Sequence, residues 1–417
     1  MSRSIYIILI SAVILAAPPS SRGEINVDDN NPESDYKTIQ EAIDAASEGE
    51  TVIVAPGIYH ENINFKGKNL ILKARHWKRP EDTVISGRKG KPAVTFNGSE
   101  DSSCKLRGFT IRGGSAKGTG GIRGNGTLAS IKNCSIVNNT STSDTEGVSA
   151  GAVSDCDGPI QNCSIIENKA LGSRGTAAGA LYGCDGPLIN CRIIQNEAEC
   201  KGRGQKCLAA GAVAGCRGQI SLCRISNNRA EAESGIKAST AGAFADCKGV
   251  ISNCLITSTS AVSKSKKGLT ESAGAILECD AAIINCTIAS NTQSSEDKDP
   301  EAGILRCEGN MTSSIVWDND ISLSSLIIKY SNIQNMAKVG KGNLSALPLF
   351  TGENFHLKFN SPCIDTGDPN SDYSLEPDPN GNRINMGAYG NTIQAASSIT
   401  DPVMEFQSFE NEFRATT

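Results

Sequence analysis

The stretch Ala-Gly-Ala-Val-Ser-Asp-Cys-Asp-Gly-Pro-Ile-Gln-Asn-Cys-Ser-Ile-Ile-Glu-Asn, residues Ala150 to Asn168, is written five times with small changes. Gly179, Gly211, Gly242 and Gly274 open the later copies, and Asn196, Asn228 and Asn291 close three of them. Each copy carries a C-x6-C pair: Cys156/Cys163, Cys184/Cys191, Cys216/Cys223, Cys247/Cys254 and Cys279/Cys286. Successive copies start 28 to 32 residues apart, and Cys134 and Cys307 mark half-kept versions on either side. A fixed period of this size means stacked units, each too small to bury a face alone.

The apolar residues of a copy fall in short runs, Gly-Ala-Val, Pro-Ile and Cys-Ser-Ile-Ile, broken by Asp-Gly and by Asn. They are too short for helices and rich in β-branched residues, so each copy reads as about three strands forming one coil of a solenoid. Stacking places equivalent residues at the strand spacing of ~4.8 Å. The column Ile131, Ile160, Leu188, Ile220, Ile251, Ile283, Met311 and the column Ile136, Ile165, Ile193, Ile225, Leu255/Ile256, Ile288, Val316 are expected to fill the interior. The column Asn133, Asn162, Asn190, Asn253, Asn285, interrupted by Leu222, marks a sharp bend, because Asn tolerates the left-handed backbone. Its amides are expected to bond to one another up the stack.

The phrases Ala-Gly-Ala-Val or Ala-Gly-Ala-Leu followed by Asn-Cys-x-Ile-x-x-x-Asn resemble the secreted right-handed parallel β-helix proteins of the pectate-lyase-like superfamily. The likeness is greatest to the large group found in planctomycetes and related bacteria, and the repeats are faintly similar to those of chlamydial polymorphic outer-membrane proteins. The resemblance implies an all-β solenoid, a right-handed parallel β-helix of about ten coils with an N-terminal helical cap and an irregular C-terminal cap. It speaks to fold and leaves the chemistry open.

Residues 1–23 have a basic start at Arg3, an apolar run from Ile5 to Ala17 and then Pro-Pro-Ser-Ser, the layout of a secretory signal peptide; an uncleaved anchor is the alternative. The protein is therefore expected to be secreted or held at the cell surface, with no membrane span after cleavage. Export permits disulfides among the sixteen cysteines. The ten in the repeat pairs are expected to be buried thiols acting as small apolar fillers. Cys200 and Cys207 lie in a polar insertion outside the repeat columns, and a disulfide is expected to close that loop. The histidines His60, His76 and His356 and the cysteine spacing do not suit zinc. A net charge of −5 with mixed signs gives no basic footprint, so nucleic acid is excluded as an expected partner.

The β-helix with its first cap is expected over 24–335, with regular repeats at about 129–319. In the opening cap, Thr38 to Ala46 has apolar positions 39, 42, 43 and 46 and reads as a helix over the first coil. Thr51–Tyr59, Asn69–Ala74 and Thr83–Gly87 read as strands. Thr38–Ala46 and Gly57–Glu61 resemble the opening of pectin methylesterases, but the catalytic Asp-Phe-Ile-Phe-Gly phrase of those enzymes has no counterpart. Polar segments such as Ser141–Val148, Glu197–Leu208 and Ser260–Ser272 are expected as loops projecting from one side. Residues 336–393 read as the exit cap, and 394–417 as a flexible tail.

The resemblance directs attention to carboxylates that hold calcium beside an Arg or Lys base. The position after the first Cys of each copy gives Asp157, Asp185, Arg217, Lys248, Asp280 and Glu308, a single file of charges. With Asp155, the first two are candidate calcium ligands; Arg217 and Lys248 are the candidate base and clamp, and Asp280 and Glu308 candidate substrate-binding groups. The competing reading is a charge-compensated turn, since Asp-Gly turns a chain well. A second candidate calcium cluster is Asp365, Asp368, Asp378, Asn380 and Asn382. Aromatics are only 5% of the chain, which supplies a sugar-stacking groove thinly. The leading expectation is a monomeric, non-catalytic exported protein that binds glycans or another cell-surface component; the alternative is a calcium-dependent polysaccharide lyase or a glycoside hydrolase acting on uronic-acid polymers.

Overall fold

The computed structural model describes residues 23–398 except 144–146, 203–204, 266–267, 296–300, 320, 322–324 and 337–339. The signal-peptide segment and residues 399–417 of the expected tail lie outside the described residues. The chain winds as an all-β, right-handed parallel solenoid of about ten turns. One coil runs through Ile160–Gln161, Ser164–Ile166, Lys169–Gly172, Gly175–Ala178 and Leu181–Tyr182, and each segment pairs in parallel with its equivalent one coil later. The resulting sheets have twelve, eleven, seven and thirteen strands.

Both aliphatic columns form. Ile131, Ile160, Leu188, Ile220 and Ile251 are successive register partners, as are Ile136, Ile165, Ile193, Ile225 and Ile256, and all are buried. Ile256, not Leu255, holds the interior position. Between these two sheets the chain turns at Asn133, Asn162, Asn190, Leu222, Asn253 and Asn285, with φ of 50° to 56°. The left-handed bend therefore explains that column. Only the Asn190 amide among these donates to the one below it, Asn162, at 2.8 Å.

The amide ladder belongs to the next corner. Asn139, Asn168, Asn196, Asn228, Asn291 and Asn319 are buried. Asn168 Nδ2 donates to Asn196 Oδ1 at 3.0 Å and to the Ile136 carbonyl at 2.9 Å, while its backbone N–H also reaches Asn196 Oδ1 at 3.0 Å. The same set recurs at Asn196 with Asn228 and Ile165. Each side chain thus pairs the backbone groups left over where a strand ladder breaks, which buried peptide groups require.

Cysteines line two further corners. The fourteen outside the Cys200–Cys207 pair are free and buried. Cys163, Cys223 and Cys254 each direct the thiol at the carbonyl two residues earlier, at 3.2 Å. Ser314 and Ser331 take over at the end of that column and donate to Thr312 and Lys329 at 3.0 and 2.9 Å. The thiol is therefore both a small apolar filler and a weak donor.

The segments expected as projecting loops are strands. Glu197–Gly202 runs outward, Cys207–Ala210 returns, and both pair with their equivalents above and below. Thr140–Ser143 with Gly147–Ala150, and Ser260–Lys264 with Leu269–Leu277, do the same. Together they build a two-layered fin on one side of the helix. In its middle coils the interior is alanine, with Ala170, Ala198, Ala230 and Ala232 facing Ala177, Ala209 and Ala238 around the Cys200–Cys207 disulfide, and toward its ends buried hydroxyls such as Ser141, Ser149, Thr240 and Ser272 take over. The layers come close enough for Ser141 Oγ and Ser149 Oγ to bond at 2.6 Å. Charges cover the outside, as in Lys169–Glu197 at 2.9 Å and Lys264–Glu231 at 3.0 Å.

The helix Ile39–Ala45 buries Ile39, Ala42 and Ile43 against the first coil, with Thr38 as its N-cap. At the other end the chain does more than close the last coil. Residues 349–398 run back along the corner between the twelve- and eleven-stranded sheets as a strap. Gly387 N–H bonds Ser313 O at 2.8 Å, Ala388 N–H bonds Thr287 Oγ1 at 2.9 Å, and the Asn253 amide donates to Gly390 O at 2.7 Å. Residues 394–398 are fastened too: Ala396 O accepts from Asn385 at 2.7 Å and Ser398 Oγ meets Asp365 Oδ1 at 3.0 Å.

Candidate ligand-binding trough

The charge file stacks. Lys248, Asp280 and Glu308 are register partners, and Asp157, Asp185 and Arg217 continue the column. Asp157 Oδ1 accepts the Asp185 amide at 3.2 Å and Asp185 Oδ1 the Arg217 amide at 3.1 Å. These two carboxylates thus cap the turn one coil further on. Asp155 sits in the left-handed conformation with its carboxylate toward Gly183; desolvation, with the Asp157 charge beside it, raises its pKa. In the strap, Asp368 Oδ1 accepts from the Asn370 amide at 3.0 Å, Asp378 Oδ1 from Asn380 at 3.2 Å, and Asp365 packs on Gly381. Among the described residues no three His, Cys, Asp or Glu side chains converge as a metal cage requires, so no step is derived through calcium.

A trough of about 840 Å³ lies between the outer face of the twelve-stranded sheet and the strap. Its floor carries Ile189, Gln219, Ser221 and Ser252, its corner edge Asn162, Asn190, Leu222 and Asn253, and its far wall Tyr389 and Ile393. From Asn162 to Asn253 is three coil steps, roughly 14 Å at the usual strand spacing. Higher up, the strap backbone bonds the corner amides; below Asn253 it stands off and the trough opens. Arg217 lies two residues before Gln219 in the chain and is not among the residues that line the trough, whereas Arg224 is.

Tyr389 stacks on His356 with ring centroids 3.8 Å apart and donates its hydroxyl to Asn354 O at 2.7 Å; partial burial raises its pKa. Arg224 Nη1 donates to Asn354 Oδ1 at 2.8 Å, which ties the strap to the helix body. Leu222 is 49% exposed at φ 56°, where a Leu side chain is strained and every other Asn-column residue from 133 to 285 is Asn.

Arg192, Arg224 and Tyr389 are missing from the candidates that sequence reasoning selects. The two arginines share the column after the second Cys of each copy, so that signal was present. The strap that meets them has no period to betray it.

No family model and no curated protein matches the sequence. Solved structures with a similar fold do exist. The pectate lyase Pel9A shares 13% identity over 88% of this chain and 96% of its own, with a TM-score of 0.43. A pectin methylesterase from Aspergillus niger shares 14% over 69% and 90%, with a TM-score of 0.35. Carrot pectin methylesterase shares 12% over 79% and 88%, with a TM-score of 0.24. The likeness is one of fold alone.

Proposed function

We propose that this protein is an exported, monomeric β-helix protein that holds an extended extracellular glycan in the trough without cleaving it. The observation that carries this reading is the trough itself, an open channel crossing several coils and lined by amides, hydroxyls and exposed aliphatic groups. Long enough for about three sugar units at roughly 5 Å each, it offers the mixture of hydrogen-bonding and apolar surface that sugar rings match. The strained, exposed Leu222 on its edge is a local cost tolerated where a ligand contact compensates. Export is supported by the basic, apolar, Pro-Ser sequence of residues 1–23; among the described residues no helix is long and apolar enough to cross a membrane.

A glycan-array screen with the purified chain tests this, followed by the Ser252→Trp variant, which fills the floor. Retention of one or more glycans by the native chain and its loss in a variant of unchanged melting temperature is the expected result. Absence of retention across the array removes the reading. A cleaving enzyme is the second reading, with the exposed Arg217, two residues along the chain from Gln219, as its candidate base. Incubation with polygalacturonate and alginate, with and without calcium, then releases ultraviolet-absorbing unsaturated ends or new reducing ends that Arg217→Ala abolishes.

A further inference from the structure

Arg192 and Arg224 are direct register partners on the outer face of the eleven-stranded sheet, one coil apart beside the open end of the trough. Adjacent strands place such side chains ~4.8 Å apart, where like charges repel. Several exposed cations elsewhere on the helix are matched, Lys169 by Glu197, Arg229 by Glu231, Lys264 by Glu231, and Lys237 and Arg306 by Glu271. Among the described residues neither Arg192 nor Arg224 has a carboxylate within ion-pair distance. Arg224 is held in place by Asn354, yet its Nε is buried with no hydrogen-bond partner. Two like charges in register cost stability unless something anionic joins them.

We propose that Arg192 and Arg224 form a subsite for a tetrahedral oxyanion, a sulfate or phosphate ester carried by the polymer in the trough. This inference rests on the trough reading and names the chemistry of its ligand. A carboxylate holds its two oxygens in one plane, so guanidiniums arriving from two different coils do not both meet it in plane. A sulfate or phosphate ester presents three oxygens in different directions, so it takes a fork from each of two coils at once. Asn354 fixes the Arg224 guanidinium from the strap side before the ligand arrives, which lowers the ordering cost of binding.

The test compares binding of one neutral glycan with its sulfated, phosphorylated and carboxylated forms, at low and high ionic strength. The proteins are the native chain, Arg192→Gln, Arg224→Gln and the double variant. The sulfated or the phosphorylated form is expected to bind about tenfold tighter than the neutral one, and whichever is preferred identifies the ester. That preference falls with salt and disappears in the double variant, while neutral binding by Arg192→Gln stays as it was. Arg192→Gln, which removes no contact within the protein, carries the test if Arg224→Gln loosens the strap. Equal binding of the ester forms by native and variant chains overturns the subsite, as does preference for the carboxylated form; persistent neutral binding then leaves the trough reading intact. If no form binds, both fall.

Discussion

The helix body and the fin are made by the same turns of chain, yet they are stabilised in opposite ways. In the body, isoleucine columns fill a broad interior and buried asparagines and cysteines close its corners. In the fin, two sheets meet through alanine methyls and small hydroxyls around the Cys200–Cys207 disulfide. The body is stabilised by volume and by satisfied polar corners, the fin by close approach of backbones. Removing atoms should therefore harm the first and adding atoms the second.

The largest effect should come from the ladder. Asn196→Ala strands the Asn168 backbone N–H and takes a donor from the Ile165 carbonyl while removing one acceptor of the Asn168 side-chain amide, and denaturant unfolding should show a loss of about 3 kcal/mol from these buried groups. Next comes the contrast between regions: Ile225→Ala should cost about 3 kcal/mol through a cavity, whereas Ala198→Leu should cost about 2 kcal/mol by forcing the fin layers apart. Hydrogen exchange should localise the second change to the fin strands. Equal behaviour of both substitutions in the two regions would erase the distinction.

Replacing both Cys200 and Cys207 by Ala should destabilise the fin by about 2 kcal/mol, seen as faster exchange at Glu197–Ala210 with little change in the body. Leu222→Asn should stabilise the chain by about 1 kcal/mol by relieving the left-handed strain, while weakening retention of any trough ligand. Cys191→Ser should cost about 1 kcal/mol or less, because a hydroxyl already fills that role at Ser314 and Ser331. A larger loss would show that apolar packing dominates at that corner.

The body was legible because a period turns sequence columns into physical neighbours, and its isoleucine and cysteine columns stand where the alignment of copies puts them. Spacing points the amide ladder to the Asn133–Asn285 corner, where one such bond forms, from Asn190 to Asn162, while the continuous ladder stands at the next corner. Asn162 and Asn190 recur as regularly as Asn168 and Asn196, and spacing alone does not reveal which of two columns points inward. The fin escaped notice for a chemical reason. Arg229-Ala-Glu-Ala-Glu-Ser alternates with the period of a strand, but alanine among charged residues carries little hydrophobic signal and favours helices. The trough needed a contact between Arg224 and Asn354, 130 residues apart, which no repeat records. The charge file stands as the column of copies predicts, with Asp157 and Asp185 occupied by the amides of the next coil.

Unequal repeat length also finds its place in this architecture. Eighteen residues separate Gly151 from Lys169, and the same eighteen separate Gly179 from Glu197, Gly211 from Arg229, Gly242 from Ser260 and Gly274 from Thr292. All variation in repeat length falls beyond those points, in the excursion out to the fin's edge and back. The fin is thus where such a chain can gain or lose residues, lengthening outward, while the alignment of every corner in the helix stays untouched.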